Sequence, residues 1–425
     1  MLTAAEAADR LGVKRGTLYA YVSRGWLKSY KRKVGREALY RRTDIEALRG
    51  VSMPERGRRA RSLPDASSWV TVAQPRTDGP PSGVIVAESA VSSISEGGLA
   101  YRGYPIEELV EHAAFEEICL LLWGGERPSP AQTEELREAL GTVELPAPVA
   151  AALDAAGRDA APLARLTIMI AALAAVERPY QAQINHAPAI IGLMPIVMIG
   201  GPAKSARTTH GDIATRLLYR CLGEAMEWER LAIGRVLIAC AEHELNASTF
   251  AARVVASTGA DLYASVLAAL CSLSGPIHGG ACDRIEQMFG ELEQGVKIDS
   301  LLAGFSERHL LPPGFGHAIY PNGDPRAALL KEVALTIARR RGRRLLDAAL
   351  KVEETVSRRQ RLRPNLDFYL TVCVRMLGFP RGLPAGVFAL GRTAGWIAHS
   401  LEQYADNRLI RPRMRYRGSP IRHWE

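Results

Sequence analysis

The sequence predicts a mainly α-helical protein, in which a helical body of two domains follows a small basic domain at the N-terminus. Three observations favour this fold class. The chain has 425 residues, which is enough for two or three domains around a large buried core. From about residue 80 onward, Ala- and Leu-rich stretches of helical periodicity alternate with Gly and Pro, and few segments show the alternation of strands. The third observation is an uneven distribution of charge.

The positive charge is concentrated at the N-terminus. Residues 1–62 contain 16 Lys and Arg and 6 Asp and Glu, which is a net charge of +10. The remaining residues contain 38 basic and 39 acidic side chains, which is a net charge of −1. Because the surplus belongs to the first segment, the charge pattern predicts an appended module that binds nucleic acid.

The first 50 residues contain the motifs of two helices joined by a turn, followed by a hairpin. Thr3 and Glu6 predict a capping box at the start of the first helix. Gly12 supplies the turn, and "KRGTLYAYVSRG" places Lys14 and Arg15 at the start of a second helix, where a recognition helix contacts DNA. The next stretch, "LKSYKRKVGREALYRR", predicts two short strands with a basic tip.

Residues 1–50 resemble the winged helix-turn-helix domains of the MerR and excisionase type, and this resemblance implies duplex DNA as a partner. Two alternatives stay open. The segment could be a basic three-helix interaction domain that does not bind DNA, or an element that mediates assembly only. Residues 51–74 are rich in Pro, Ser and Arg and are predicted to be a linker.

Several classes of protein are not favoured by the sequence. Neither a G-x-G-x-x-G motif nor a P-loop occurs. The six cysteines form no C-x-x-C pair, which is typical of reduced thiols in the cytoplasm. The first residues lack the continuous apolar segment of a signal peptide, and the uncharged stretch 187–203 is interrupted by three prolines, so we expect a buried helix there and no membrane segment.

Candidate catalytic residues lie in loops that are rich in Gly and Pro. "SGPIHGGA" places His278 between a proline and two glycines, which allow a ligand or a second backbone to come close. "PPGFGHAIYPNGDPRA" places His317 in a second such loop, with Arg326 nine residues later. "AEHELNAST" carries His243, and "RPNLDFY" carries Asp367 after a turn.

Two arginines complete this set, Arg392 in "GRTAGW" and Arg411 in "IRPRMRYRG". Each member alone has an ordinary explanation. His243 alone would be a core histidine, Asp367 alone would be a helix cap, and the arginines after residue 410 would be a solvated or nucleic-acid-facing run. The joint occurrence of the motifs favours a catalytic interpretation.

From about residue 80 to the C-terminus these motifs resemble the citrate synthase family in order and in spacing. The resemblance implies a large helical domain, residues 75–279 plus 381–425, and a small helical domain, residues 280–380. A cleft between them would close over the substrates. The resemblance also implies a homodimer, because Arg411 would reach the active site of the partner subunit.

The implied reaction joins acetyl-CoA to oxaloacetate through an enolised thioester. The thioester methyl group is a weak acid, so a carboxylate base must act together with a donor to the thioester oxygen. By the resemblance, Asp367 is the base, neutral His278 is the donor, and His317 polarises the ketone of oxaloacetate and protonates the new alkoxide. Hydrolysis of the bound thioester then releases CoA.

The resemblance assigns the oxaloacetate carboxylates to Arg326, Arg392 and Arg411, with His243 as a further donor. Guanidinium groups match carboxylates with two hydrogen bonds each. Acetyl-CoA is a substrate in this interpretation, and no metal or other cofactor is expected. Two alternatives stay open: a 2-methylcitrate synthase that uses propionyl-CoA, and a DNA-binding regulator whose body senses oxaloacetate or an acyl-CoA.

Overall fold

The structure is a computed structural model in which the chain divides into two compact units, Met1–Val72 and Ala73–Glu425. In the first unit, residues 1–11, 13, 15, 18, 22, 29–31, 38–42 and 45 are described. In the second unit, residues 87–95, 98–177, 183–200, 211–308, 310–413 and 416–422 are described.

The first unit combines a helix with a small antiparallel sheet. The helix α1 spans Ala4–Leu11. The strands are β1 (Leu2–Thr3), β2 (Tyr30–Lys31) and β3 (Ala38–Tyr40), and β3 lies between β1 and β2.

The capping box at the start of α1 is present as the sequence predicts. The backbone N–H of Thr3 donates to Glu6 Oε2 at 2.8 Å, and the N–H of Glu6 donates to Thr3 Oγ1 at 3.3 Å. These two bonds satisfy backbone donors that the first turn of a helix leaves open. Three alanines of α1 pack with Leu18, Tyr40 and Ile45 in a core of the unit's own, namely Ala4, Ala7 and Ala8.

The predicted hairpin is confirmed in its strands. β2 and β3 pair antiparallel, with Tyr30 opposite Leu39. Gly12, Lys14, the hairpin tip and the linker at residues 51–74 lie outside the described residues.

The described part of the second unit begins with a short sheet. Its strands are β4 (Ser92–Ser95), β5 (Gly98–Tyr101) and β6 (Tyr104–Pro105), with β5 in the centre. Tyr101 is fully buried, and its hydroxyl donates to the backbone oxygen of Ile238 at 3.1 Å. The sheet is thereby fixed to the helical core close to the segment that carries His243.

Helices make up the rest of the described second unit, as the sequence predicts. Those of the first half are α2 (Ile106–His112), α3 (Phe115–Gly124), α4 (Pro130–Gly141), α5 (Ala147–Ala155), α6 (Pro162–Glu177), α7 (Ala187–Val197), α8 (Ile213–Leu222) and α9 (Glu227–Cys240). Those of the second half are α10 (Ala247–Ala256), α11 (Leu262–Leu273), α12 (Gly280–Glu293), α13 (Ile298–Glu307), α14 (Pro325–Arg341), α15 (Arg344–Gln360), α16 (Leu366–Met376) and α17 (Leu383–Asp406).

Local sequence explains where several of these helices begin. Asp212, Asn246 and Asp261 precede α8, α10 and α11, and each side chain accepts a hydrogen bond from a backbone N–H of the first turn. Of the uncharged stretch 187–203 that was predicted to be a buried helix, residues up to Val197 form α7, in which Ala187 and Ile190 through Val197 are buried; residues 198–200 are not helical, and 201–203 lie outside the described residues. No helix in the described ranges has both the length and the apolar character needed to cross a bilayer.

Helix α17 lies at the centre of the second unit. Nearly all of its residues from Leu383 to Ser400 are buried, and it packs against α9, α10, α11 and α3. Because a helix that is buried all round has no solvent-facing side, the polar and charged side chains within it must find partners in the core. Arg392 and His399 are such groups. The division of the body into large and small domains at residues 280 and 380 stays a prediction.

Candidate active site

His278 lies in the short connection between α11 and α12. The N–H of Gly279 donates to the backbone oxygen of Leu273 at 2.8 Å. A Cβ atom at Gly279 would stand only 2.4 Å from that oxygen. Of the two explanations offered for the glycines, the structure therefore supports close approach of a second backbone at Gly279. This contact fixes the position of the neighbouring imidazole.

The His278 ring is held by a serine that the sequence does not single out. Nε2 of His278 lies 2.9 Å from Ser248 Oγ, near the start of α10. The Ser248 hydroxyl also donates to Asn246 Oδ1 at 2.7 Å and accepts from Trp396 Nε1 at 3.2 Å. Because a hydroxyl proton can rotate, Ser248 can instead donate to Nε2, and His278 then carries its proton on Nδ1. Burial and then the Arg392 charge lower the pKa of His278 to about 4, so the ring is neutral at pH 7.

His317 is placed by pairing between two loops. The N–H of Gly316 donates to the Arg363 oxygen at 2.9 Å, and the N–H of Asn365 donates to the Gly314 oxygen at 2.9 Å. Gly314 has a φ of +82°, and a Cβ atom there would stand 2.9 Å from Phe368 Cβ. This pairing brings His317 to the segment that leads into α16 and Asp367.

The backbone selects the tautomer of His317. Nδ1 of His317 accepts a hydrogen bond from the N–H of Ile319 at 3.1 Å. Burial and then the Arg326 charge lower the pKa of His317 to about 4. A neutral imidazole that accepts at Nδ1 carries its proton on Nε2, so this ring offers an N–H donor at Nε2.

His243 follows α9 and is almost completely buried. Its Nε2 lies 3.0 Å from the Tyr320 hydroxyl, and its ring meets the His317 ring edge-on, with 5.2 Å between the centroids. Burial, followed by the charges of Arg326 and Arg392, lowers the pKa of His243 well below its usual value. His243 and His317 therefore form a pair of neutral rings.

Arg326 stands in the first turn of α14 and is buried with Asp324 as its ion-pair partner. Its Nε donates to Asp324 Oδ1 at 2.9 Å, and its Nη2 donates to Asp324 Oδ2 at 2.8 Å. Asp324 also accepts from the N–H of Leu366 at 3.0 Å, which joins the starts of α14 and α16. One edge of the guanidinium is occupied by this fork, which leaves Nη1 for a substrate.

Arg392 lies in the middle of α17 and is 1% exposed. Its Nε donates to the Cys240 oxygen at 2.6 Å, and its Cζ lies 4.9 Å from the centroid of the Phe388 ring. Nη2 of Arg392 is buried without a hydrogen-bond partner in the described part of the chain. A buried donor of this kind is rare in folded proteins and is the feature that an anionic ligand would satisfy.

Asp367 is a partly buried carboxylate in the first turn of α16. Burial raises its pKa to about 6, although the Arg326 and Arg392 charges act in the opposite direction. The Cys282 thiol lies 3.9 Å from Asp367 Oδ1. A carboxylate whose pKa lies near 6 can both accept and release a proton near neutral pH.

The structure gathers six of the seven predicted site residues into one cluster. His243 and His317 touch, His278 and Arg392 both pack on Phe388, and the charges of Arg326 and Arg392 act on Asp367. Arg411 is not part of this cluster. It is exposed, directly after Ile410, whose N–H donates to Ser257 Oγ at 3.1 Å.

The sequence analysis missed the residues that hold the cluster in place, namely Ser248, Asp324 and Tyr320. The N-cap pattern "NGDP" could have indicated Asp324, because Asp before Pro commonly starts a helix. The contacts of Ser248 and Tyr320 depend on the fold, and no local pattern indicates them.

Comparison with known proteins identifies both parts of the chain. Residues 80–413 match the family model described as "Citrate synthase, C-terminal domain", and residues 1–49 match "Helix-turn-helix domain". Citrate synthase 2 of Bacillus subtilis is 35% identical over 352 residues, covering 79% of this chain and 94% of that protein. The 2-methylcitrate synthase of Shewanella oneidensis is 33% identical over 350 residues, covering 79% of this chain and 93% of that protein.

Solved structures agree with the sequence comparison. The citrate synthase of Thermotoga maritima superposes with a TM-score of 0.69 at 31% identity, covering 80% of this chain and 96% of that chain. The ternary complex of Thermoplasma acidophilum citrate synthase with carboxymethyl coenzyme A and oxaloacetate gives a TM-score of 0.72 at 28% identity, with the same coverage of 80% and 96%. With a family model that matches most of the chain and relatives above 30% identity, this protein belongs to the citrate synthase family and is an acyltransferase-type enzyme preceded by a helix-turn-helix domain.

Proposed function

We propose that the protein condenses acetyl-CoA with oxaloacetate to give citrate and CoA. The observation that carries this proposal is one cluster of charged and polar side chains. It contains two buried arginines, three neutral histidines and one carboxylate of raised pKa, namely Arg326, Arg392, His243, His278, His317 and Asp367. Buried cations with open donors attract a small dianion, and Arg392 Nη2 is such a donor. Oxaloacetate is a small dianion of this kind, and the Thermoplasma acidophilum relative was solved with it.

The first chemical step is removal of a proton from the methyl group of acetyl-CoA. Asp367 takes this proton, and the electron pair of the C–H bond becomes the enolate. His278 donates a hydrogen bond from Nδ1 to the thioester oxygen, where the negative charge develops. Ser248 supports this tautomer when its hydroxyl donates to His278 Nε2.

The second step forms the carbon–carbon bond. The enolate carbon attacks the ketone carbon of oxaloacetate, and His317 transfers its Nε2 proton to the resulting alkoxide. Arg326 and Arg392 bind the carboxylates of oxaloacetate, and His243 supplies a further donor. Water then cleaves the thioester: its oxygen bonds to the carbonyl carbon, one of its protons restores His317 Nε2–H, and the departing CoA thiolate takes up the proton held by Asp367 and leaves as the thiol. The proposed mechanism invokes no metal or other cofactor, since these side chains supply the base and the donors.

The second candidate function is 2-methylcitrate synthesis, in which propionyl-CoA replaces acetyl-CoA. We consider it because the 2-methylcitrate synthase of Shewanella oneidensis is nearly as similar to this chain as citrate synthase 2 of Bacillus subtilis. The test is thiol release from acetyl-CoA and from propionyl-CoA, each with and without oxaloacetate. We expect release that depends on oxaloacetate and a higher kcat/KM for acetyl-CoA. A higher kcat/KM for propionyl-CoA would favour 2-methylcitrate synthesis, and absence of release from both would contradict the enzyme proposal.

We further propose a cytoplasmic homodimer in which Arg411 completes the active site of the partner subunit. Support comes from the exposed position of Arg411 and from its separation from the cluster of its own chain. The Arg411→Ala and His278→Ala proteins should each be inactive. After subunit exchange, heterodimers should regain part of the activity, because one of their two sites then contains both residues. Heterodimers without any recovery would contradict this assignment.

We also propose that the N-terminal unit binds duplex DNA. The match to a helix-turn-helix family model and the net charge of +10 over residues 1–62 support this proposal.

A further inference from the structure

A cavity of about 570 Å³ lies outside the candidate active site, between the ends of four helices. Four arginines and one glutamate line it, together with an apolar floor. The charged lining residues are Arg341, Arg343, Arg344, Arg375 and Glu293. Its volume falls in the range of sites that bind small molecules.

Three of the four arginines of this cavity pair with a carboxylate, so four positive charges face three negative ones. Arg375 donates to Glu293 at 2.7 Å and Arg341 donates to Glu229 at 2.5 Å. Arg343 lies 3.3 Å from Asp347, with both side chains more than half exposed. Exposed pairs of that kind are weak, so the guanidinium of Arg343 is available to a ligand.

Two further features of the cavity favour the binding of an anionic ligand. The wall includes Arg343, Arg344 and Leu345, at the start of the 17-residue helix α15. The side chain of the N-cap residue Arg343 makes no capping hydrogen bond, so backbone N–H groups of the first turn can bind a ligand, although the Asp347 carboxylate in that turn already interacts with the positive end of the helix dipole. Arg375 is 12% exposed, and its Nη1 is buried without a hydrogen-bond partner in the described residues. An acceptor on a bound ligand would pair with this donor once the Arg375 guanidinium turns toward the cavity.

The floor of the cavity indicates that the ligand also has an apolar or aromatic part. Phe289, Leu292, Leu345, Ala348 and Met376 contribute to it. The Arg375 guanidinium stands 6.0 Å from the centroid of the Phe289 ring, so this cation is fixed between an aromatic face and Glu293. Inorganic phosphate would use only the cationic side of such a site.

The same helices that end at the cavity begin at the candidate active site. Helix α12 starts two residues after His278 and ends at Glu293. Helix α14 carries Arg326 in its first turn and ends at Arg341. Helix α16 carries Asp367 in its first turn and ends at Met376. With a rise of 1.5 Å per residue, the 17 residues of α14 place the cavity roughly 25 Å from the site. A ligand in the cavity would therefore contact the far ends of three helices that position catalytic groups.

We propose that this cavity is an effector site for a phosphorylated small molecule with an apolar or aromatic body, of the size of a nucleoside diphosphate. The arginines and the start of α15 bind the phosphates, and the floor binds the body. Occupancy changes the synthase activity by shifting the three helices whose opposite ends hold His278, Arg326 and Asp367. The activity part of this proposal rests on the proposed function, and the binding part does not.

Calorimetry of the full-length protein at low salt tests binding with inorganic pyrophosphate and with uridine 5′-diphosphate, which lacks the adenine of CoA. We expect both compounds to bind, and we expect uridine 5′-diphosphate to bind more tightly than pyrophosphate. The double variant Arg343→Gln/Arg344→Gln should weaken both by about tenfold or more, because it removes charge-assisted contacts. Both side chains are exposed, and the melting temperature of the variant verifies its fold. The control is Arg158→Gln, an exposed arginine elsewhere in the chain, which should change affinity less than about twofold.

The activity arm measures thiol release from acetyl-CoA with oxaloacetate, with and without uridine 5′-diphosphate. A change in kcat or KM in the wild-type protein that disappears in the double variant would support the effector role. Absence of binding, or binding that the double variant retains, would overturn the site. Binding that the double variant loses, without any kinetic effect in the wild-type protein, would overturn the coupling.

Discussion

Asp367 is negatively charged at neutral pH, although burial disfavours its charged form. Burial raises its pKa from the usual 3.8 to about 6, and Arg326 limits the rise. Since folding raises this pKa, the stabilising contribution of the group is complete below about pH 4 and is lost as the pH increases through 6. The destabilised carboxylate is the stronger base, which is the property that the proposed reaction requires.

At this scale we predict that kcat/KM falls about tenfold between pH 7 and pH 5, because Asp367 becomes protonated with a pKa near 6. His278 and His317, with pKa values of about 4, stay neutral over this range and do not contribute. The measurement is the pH profile of oxaloacetate-dependent CoA release, with circular dichroism at each pH to verify folding. A profile that is flat from pH 7 to pH 5 would rule out Asp367 as the titrating base.

The residue types at the site could be predicted from the sequence, because loops such as "SGPIHGGA" and "PPGFGHAIYPNGDPRA" place histidines beside glycines and prolines. The protonation states of these residues could not be predicted from the sequence. The Nε2 proton of His317 depends on the Ile319 N–H, and the tautomer of His278 depends on Ser248, which is 30 positions away in the chain. Contacts of that separation follow from the fold and not from local sequence.

At the scale of elements, the close packing of α17 on the segment after α9 holds the oxaloacetate-binding groups. The N–H of Gly395 donates to the Ala241 oxygen at 3.1 Å. A Cβ atom at Gly395 would stand 2.3 Å from Glu242 Oε2 and 2.4 Å from the Ala241 oxygen. The two helices can approach this closely only because Gly395 has no side chain, and His243 and Arg392 both lie within three residues of the contact.

We therefore predict that Gly395→Ala destabilises the protein by about 1–3 kcal/mol and raises the KM for oxaloacetate, because the added methyl group displaces the His243 segment. The matched control is Gly234→Ala in α9, where a Cβ atom would meet nothing within 4 Å. This control should leave KM unchanged and stabilise the protein by roughly 0.5–1 kcal/mol. Urea unfolding and steady-state kinetics measure both effects. Equal behaviour of the two variants would show that the contact at Gly395 does not position the site.

Features that depend on neighbouring residues were the part of the fold that the sequence indicated best. The capping box at Thr3 and Glu6 and the apolar stretch of α7 both depend on residues close in sequence, and both were predicted. The burial of Arg392 was not indicated, since it depends on the position of α17 among four other helices.

At the scale of the whole molecule, the chain joins a basic unit to a nearly neutral one, and the two form separate compact units. Every residue of the proposed catalytic mechanism lies at or beyond His243. The two activities should therefore be separable by truncation.

We predict that deletion of residues 1–62 removes DNA binding and leaves CoA release within about twofold of the full-length rate. If the intact protein binds duplex DNA, its affinity must fall with salt, with a log–log slope near −0.9 for each phosphate contacted. Fluorescence anisotropy on genomic fragments at several salt concentrations measures this dependence. An intact protein that does not bind at low salt would make the N-terminal unit an assembly element, and loss of turnover on deletion would make it part of the synthase.

The central claim is that Asp367 removes a proton from acetyl-CoA within a site that binds oxaloacetate separately. Its most direct test compares the wild-type protein with Asp367→Asn, with thiol release as the measure of turnover and calorimetry as the measure of oxaloacetate binding. We predict that the variant loses about 10²- to 10⁴-fold in turnover. It should still bind oxaloacetate at least as well as the wild-type protein, because Arg326 and Arg392 are unchanged. A variant that keeps more than half of the wild-type turnover would contradict the account.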